Sequence, residues 1–309
     1  MNEENNADLE FALQDYWPEL KHTRNRIWRY VAIWFGILIG IIVGAHVVFG
    51  GMHLMLWVFI MIFLWIGFRF ANKYLTGLAS DRLMPALAKV TGLDYAKEFD
   101  DIKSLMRRGM LPNEDYYATE DVFSNQDDSL KFTLAEVRIS GSPKRESGKK
   151  SVLFDGVVIA VKRNSPEGQV LVVPANGRPA QSIARSLRGK VQYRHADPQR
   201  RRIGGYQVNV HTSKRVKDAS GFLTKLEQIN GMLPAGYTFF SAYQDPTDTY
   251  VGLYHTRDLH RLGGLFMTQR GIRDRMGRAL WDIKVQLKLV GVLFEDPSDA
   301  ESVKSASTV

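Results

Sequence analysis

Residues 30–68 read YVAIWFGILIGIIVGAHVVFGGMHLMLWVFIMIFLWIGF, 39 residues without a single Lys, Arg, Asp or Glu. As one helix the run would measure about 58 Å, at about 1.5 Å per residue. A bilayer core is about 30 Å thick, so this length predicts two crossings. Gly50 and Gly51 allow the chain to reverse at little steric cost. The spans are expected near Tyr30–Phe49 and Met52–Phe70. Both should be helical, because lipid offers backbone groups no partner but each other.

Outward from this run, the flanks carry the charge. Lys21, Arg24, Arg26 and Arg29 precede it, and Arg69, Lys73 and Arg82 follow. The tip between the spans holds only His46 and His53. Positive flanks mark the cytosolic side, so the sequence predicts a multi-pass protein of a bacterial inner membrane with both termini in the cytosol. Five of the six tryptophans (Trp17, Trp28, Trp34, Trp57, Trp65) fall in the first 65 residues, several at positions suited to an interfacial belt. The run is too long, and the preceding residues too acidic, for a cleaved signal peptide. His46 and His53, seven apart across a turn, read as wetted tip residues and not as metal ligands.

Ala32, Gly36, Gly40 and Gly44 recur at fours within the first span. They share one helix face, and such a stripe lets another helix approach closely. The partner is either the second span or the stripe of a second copy, which would make the protein a homo-oligomer.

The remaining chain divides by texture. Residues 1–29 form a tail, acidic and then basic. Residues 30–70 are the hairpin. Residues 71–110 read as amphipathic linker helices, with Pro85 and Gly92 as breaks and a second helix over Leu93–Arg108. Residues 111–292 mix strands and helices without a regular βαβ repeat, which predicts a cytosolic α+β domain. Residues 293–309 are small, polar and expected to fray. The fold class expected is thus α+β: an N-terminal transmembrane helical hairpin, amphipathic helices, and a mixed α+β cytosolic domain.

The whole chain has a net charge of +8, but the charge is unevenly placed. Residues 75–136 hold seven basic and twelve acidic side chains. Residues 178–217 hold eleven basic residues and one acid, Asp197. Arg200, Arg201 and Arg202 are consecutive, and Lys214, Arg215 and Lys217 follow nearby. This stretch reads as a solvated loop, as a surface for anionic lipid headgroups or another partner, or as a nucleic-acid surface. No nucleic-acid motif accompanies it, so nucleic acid is the least supported of the three.

The chain has no cysteine, which excludes disulfides, thiolate metal sites and thiol nucleophiles. Phosphate-loop, dinucleotide, zinc-protease, nucleophile-elbow and EF-hand patterns are all missing from the sequence. No catalytic residue, cofactor or metal site is therefore assigned. Glu114, Asp115, Glu120 and Asp121, with Asp127 and Asp128 beyond, are the acids that could serve acid–base chemistry or a hard cation. Neighbouring acids on a strand point apart, which favours a solvated role. His255, Asp258 and His260 could meet a metal, but surface or cap roles fit them better.

Several short signals occur in a fixed order: Leu93-x-Tyr95, Gly109-Met-Leu-Pro112, Tyr116 ahead of Glu120-Asp121, Ala135-Glu136-Val137, Phe154-x-Gly156 and Val173-Pro174. Tyr206-x-Val208-x-Val210-His-Thr212, Phe240-Ser241 and Tyr250-Val-Gly-Leu253 follow. Together with two N-terminal spans, this order resembles an uncharacterised bacterial membrane family, domain of unknown function 3137. The chain departs from that pattern at Lys214-Arg215, where the family has acids. The resemblance implies structural roles for Gly156 and Pro174, and a LemA-like membrane protein as a partner. It implies no activity.

The reading of function is a membrane-anchored, non-enzymatic interaction or scaffold module at the inner leaflet. A hydrolase-type enzyme using the Glu114–Asp128 acids and an anionic-lipid sensor using residues 178–217 stay open beside it.

Overall fold

The computed structural model describes residues 3–49, 54–127, 130–141, 151–162, 168–187, 199–213, 215–216, 219–255, 262, 264 and 266–294. Helix α1 runs Glu3–Phe49 and α2 runs Leu54–Val90. Among the described residues no helix is long and apolar enough to cross a membrane. The charge-free run is divided between the end of α1 and the start of α2. Both helices continue into charged sequence, α1 from its acidic start through Lys21–Arg29 and α2 through Arg69, Lys73, Asp81 and Arg82. The transmembrane hairpin is therefore corrected. The multi-pass inner-membrane placement with cytosolic termini is corrected by the same finding. The sequence reading scored a run of residues, whereas the helices are longer units with polar halves.

The linker helices expected over residues 71–110 are corrected too. Pro85 lies inside α2 and does not end it. Its immediate neighbours Leu83, Met84 and Leu87 are fully buried. Burial is worth about 1.5–3 kcal/mol per large apolar side chain, which offsets a proline cost of about 3 kcal/mol. The helix expected over Leu93–Arg108 is replaced by β1 (Asp94–Ala96) and α3 (Ile102–Arg108). Gly109 closes α3 at φ +83°, the left-handed conformation in which glycine avoids the Cβ penalty.

Two compact units make up the chain. The first comprises Met1–Thr91 with Leu259–Trp281. In it α1 and α2 pack on each other, with Arg82 Nη2 3.2 Å from Glu19 Oε1. Phe266 sits against Trp28 and Phe68, ring centroids 5.7 and 5.3 Å away, and Arg24 donates to the Met267 carbonyl at 2.7 Å. Large apolar side chains on both helices stay exposed, Trp34 at 64% and Phe70 at 70%.

The second unit comprises Gly92–Asp258 with Asp282–Val309. Its described residues build one antiparallel sheet of nine strands, in the order β1-β2-β3-β4-β9-β8-β5-β7-β6. After β1 the strands are β2 (Tyr116–Asn125), β3 (Phe132–Ser140), β4 (Val152–Lys162), β5 (Val170–Pro174), β6 (Gln199–Ile203), β7 (Tyr206–Thr212), β8 (Tyr237–Gln244) and β9 (Asp248–His255). The helices are α4 (Gly177–Leu187), α5 (Ser220–Met232) and α6 (Gln269–Phe294), of which the part from Asp282 belongs to this unit. Alternation within each strand separates two faces. One carries Ala135, Val137, Ile139, Phe154, Val158 and Tyr250, and clusters with Ile102, Leu105 and Met106 of α3 and Ile183 of α4. The other carries Leu134, Val157, Ile159, Val251 and Leu253, also buried, and meets α6 through Tyr237, whose hydroxyl donates to Asp282 Oδ1 at 3.0 Å.

Two short sequences set this sheet. Gly156 on β4 faces Tyr254 of β9 in the register, and a Cβ there would overlap the Leu253 carbonyl oxygen. Only glycine permits that approach. The Asp245–Asp248 turn joins β8 to β9, with Asp245 Oδ1 accepting from Thr247 N, Thr247 Oγ1 and Asp248 N, each at 2.9 Å. An aspartate that bonds the backbone two and three residues on is the ordinary chemistry of such a turn.

Candidate functional site: a basic strand at the sheet edge

The residues Gln199-Arg200-Arg201-Arg202-Ile203 form β6, the last strand in the sheet order. Among the described residues its strand neighbour is β7 alone. Gly204 and Gly205 join the two strands with φ +55° and +88°. Two central residues at positive φ make a type I′ hairpin turn, whose twist matches that of the flanking strands. A Cβ on Gly204 would also overlap the Asn230 side chain of α5, so the turn is fixed by conformation and by space.

Gln199, Arg200, Arg201 and Arg202 are all exposed, and Ile203 is buried. No ion pair among the described residues involves any of the three arginines. Beside the strand lies a groove of about 460 Å³ between the β6–β7 hairpin and α5. Arg201, Thr212, Ser220 and Glu227 line it with polar groups, and Ile203 and Leu223 with apolar ones. Of the other predicted basic residues, Arg215 is exposed just after β7, and Lys214 and Lys217 lie outside the described residues.

His211 on β7 is half-buried, and burial holds its imidazole below the ordinary histidine pKa. The fold thus favours neutral His211, while the unfolded chain takes up a proton near the ordinary value of 6.5. Its contribution to stability is complete above that value and is lost as pH falls through it toward the depressed folded pKa. Urea unfolding of His211→Gln, compared with the parent from about pH 7.5 to about pH 5.5, should show the variant losing less of its stability on acidification. Equal losses would remove His211 from the acid response.

The acids named from the sequence do not converge. Glu114 is half-buried and accepts from Ser182 Oγ at 3.0 Å. Asp115 is exposed. Glu120 lies across from Glu136 in the β2–β3 register. Asp121 sits in the bulge that follows, at φ +46°, and accepts from the Tyr95 hydroxyl at 2.7 Å. The bulge turns successive acids apart. Asp128 lies outside the described residues, as do Asp258 and His260. No group of three or more His, Asp or Glu among the described residues could hold a metal ion. Ala32, Gly36, Gly40 and Gly44 are exposed on α1, and a Cβ on any of these glycines would meet nothing within 4 Å. His46 lies within α1, and His53 is outside the described residues.

One polar group was not anticipated. Arg138 faces Asp155 in the β3–β4 register, Nε to Oδ2 3.6 Å. Tyr237 faces His255 in the β8–β9 register, rings 4.3 Å apart. Burial raises the Asp155 carboxyl, and the Arg138 charge opposes that rise. Burial and the Asp282 carboxylate hold the Tyr237 hydroxyl well above the usual tyrosine range. These residues lie on four adjacent strands, up to 117 positions apart along the chain (Arg138 to His255), so no local pattern could have linked them.

No known protein family and no curated protein matches the chain. The resemblance to domain of unknown function 3137 is accordingly neither strengthened nor refuted. Among solved structures, the chain is similar to the mycobacterial trehalose monomycolate transport factor A, TtfA, at 15% identity and a TM-score of 0.32. The match covers 68% of this chain and 96% of that one. At that score the likeness carries no argument about fold or function.

Proposed function

We propose that this chain is a non-enzymatic interaction module that binds an acidic protein partner through β6. The observation that carries the reading is three consecutive exposed arginines on the terminal strand of the sheet. A strand held by its hairpin and by buried Ile203 presents these charges in a fixed order, which a solvated loop would not. Arginine suits the task because its planar fork matches a carboxylate with two parallel hydrogen bonds. The acids that a hydrolase would use support the same reading, since Glu114 and Asp121 already bond Ser182 and Tyr95.

The test is binding of the full chain to poly-L-glutamate, with the triple variant Arg200→Glu/Arg201→Glu/Arg202→Glu alongside. An exposed ion pair contributes about 0.2–1 kcal/mol and reversal adds like-charge repulsion, so reversing three charges should weaken binding by about tenfold. Affinity should also fall with salt, because exposed charges are screened within about 10 Å at 0.1 M. The variant should keep the parent's urea midpoint, as all three side chains lie on the surface. Undiminished binding by the variant would end the proposal.

A further inference from the structure

We infer that β6 takes its partner as an added strand, so that an acidic, extended segment of another protein becomes the tenth strand of the sheet. This rests on the acidic-partner reading above and specifies how that partner is held. The type I′ turn at Gly204-Gly205 carries its own bond between its first and fourth residues, which makes Ile203 and Tyr206 a hydrogen-bonded pair. In an antiparallel ladder such pairs alternate with pairs whose backbone groups point away from each other. Arg201 with Val208 is then bonded, while Arg202 with Gln207 and Arg200 with Asn209 are not. The opposite side of β7 agrees, because the Gln207 carbonyl accepts from Ala175 N at 3.0 Å, away from β6. The N–H and C=O groups of Arg200 and Arg202 therefore face away from β7, on the side where no strand pairs with β6 among the described residues.

Those groups are what a guest strand needs for main-chain pairing, and the side chains determine which guest. Arg200 and Arg202 share one face of the sheet and Arg201 occupies the other, so the complementary guest carries carboxylates at successive positions. On the Arg201 face the adjoining groove, with Ile203 and Leu223 in its wall, has room for a guest side chain. A second copy of this chain is the wrong guest. Pairing β6 with β6 would set arginines against arginines, and like charges directly opposite are destabilising. Charged edge strands deter self-pairing in this way, and here the same charges select a partner of opposite sign.

The experiment compares two probes on the full chain by fluorescence anisotropy. One is a fluorescein-labelled, end-capped short peptide with three successive glutamates flanked on each side by valines. The other is its depsipeptide, with the central amides replaced by esters, so that charge, length and side chains persist while the N–H donors are gone. Strand addition predicts binding of the peptide and at least about tenfold weaker binding of the depsipeptide, the loss expected from two or more backbone hydrogen bonds. Equal binding of both probes, abolished in the triple glutamate variant, would overturn strand addition and leave the acidic-partner reading standing. Binding of neither probe would overturn both. A preference for a DNA duplex or for phosphatidylglycerol vesicles over the peptide would overturn both as well. A dimer that the peptide dissociates in sedimentation velocity would show β6 occupied by a second copy, and would overturn the inference.

Discussion

Replacing Gly156 with alanine should destabilise the sheet unit more than any other single methyl added to it. The reason is local and backbone in origin. The new Cβ would overlap the Leu253 carbonyl oxygen and lie 3.0 Å from His255 N. Neither atom belongs to a flexible side chain that could swing aside. To relieve the contact, β4 and β9 must separate, and their pairing runs from Gly156–Tyr254 to Lys162–Asp248 near the middle of the sheet. Overpacking of a well-packed interior costs about 1–3 kcal/mol, and a clash with main chain belongs at or beyond the top of that range. Urea unfolding followed by circular dichroism should place Gly156→Ala about 3 kcal/mol below the parent. A variant within about 0.5 kcal/mol of the parent would show that the strands yield freely, which would undo the argument.

Arg108→Ala should give the second largest loss. Arg108 is the last residue of α3 and reaches Asp245, Nη1 to Oδ2 2.9 Å. Its guanidinium carbon also lies 5.0 Å from the Tyr243 ring centroid and 5.7 Å from that of Tyr250. The Asp245 side chain is 10% exposed, so truncation of Arg108 leaves a carboxylate poorly solvated, although the turn amides still bond it. Losing a charge-assisted hydrogen bond together with two ring contacts should cost about 2 kcal/mol. Arg108→Lys should recover only part of this, because an ammonium keeps the charge but not the planar group stacked on the rings. Parental stability in Arg108→Lys would mean that the planar geometry at this site does not matter.

Both predictions concern contacts between distant parts of the chain, and the same distance separates what could be read in advance from what could not. β4 (Val152–Lys162) is a strand that the sequence marks locally, by its β-branched run and its bounding turns. The Asp245–Asp248 turn is marked locally too, by Asp245, Pro246 and Asp248. The resemblance to a known family implied a structural role for Gly156, and the Leu253 carbonyl supplies its cause. β6 was not legible. An edge strand has no alternation of buried and exposed residues for most of its length, so three arginines in a row read as a charged loop. β2 is hidden similarly, since its acids and its bulge at Asp121 break the period of two.

The sequence by itself determined where charge accumulates, where turns fall, and which stretches are too apolar to stand alone, because each is a property of neighbouring residues. Tertiary structure alone decided what those stretches become. Two helices carry the apolar run on into charged residues, and a bulge at Asp121 parts it from Glu120. The basic triplet is set on the last strand of a sheet whose order brings Arg138, Asp155, His255 and Tyr237 side by side. Such placement depends on pairing between segments far apart in the chain, and that pairing is selected by the burial of whole faces at once.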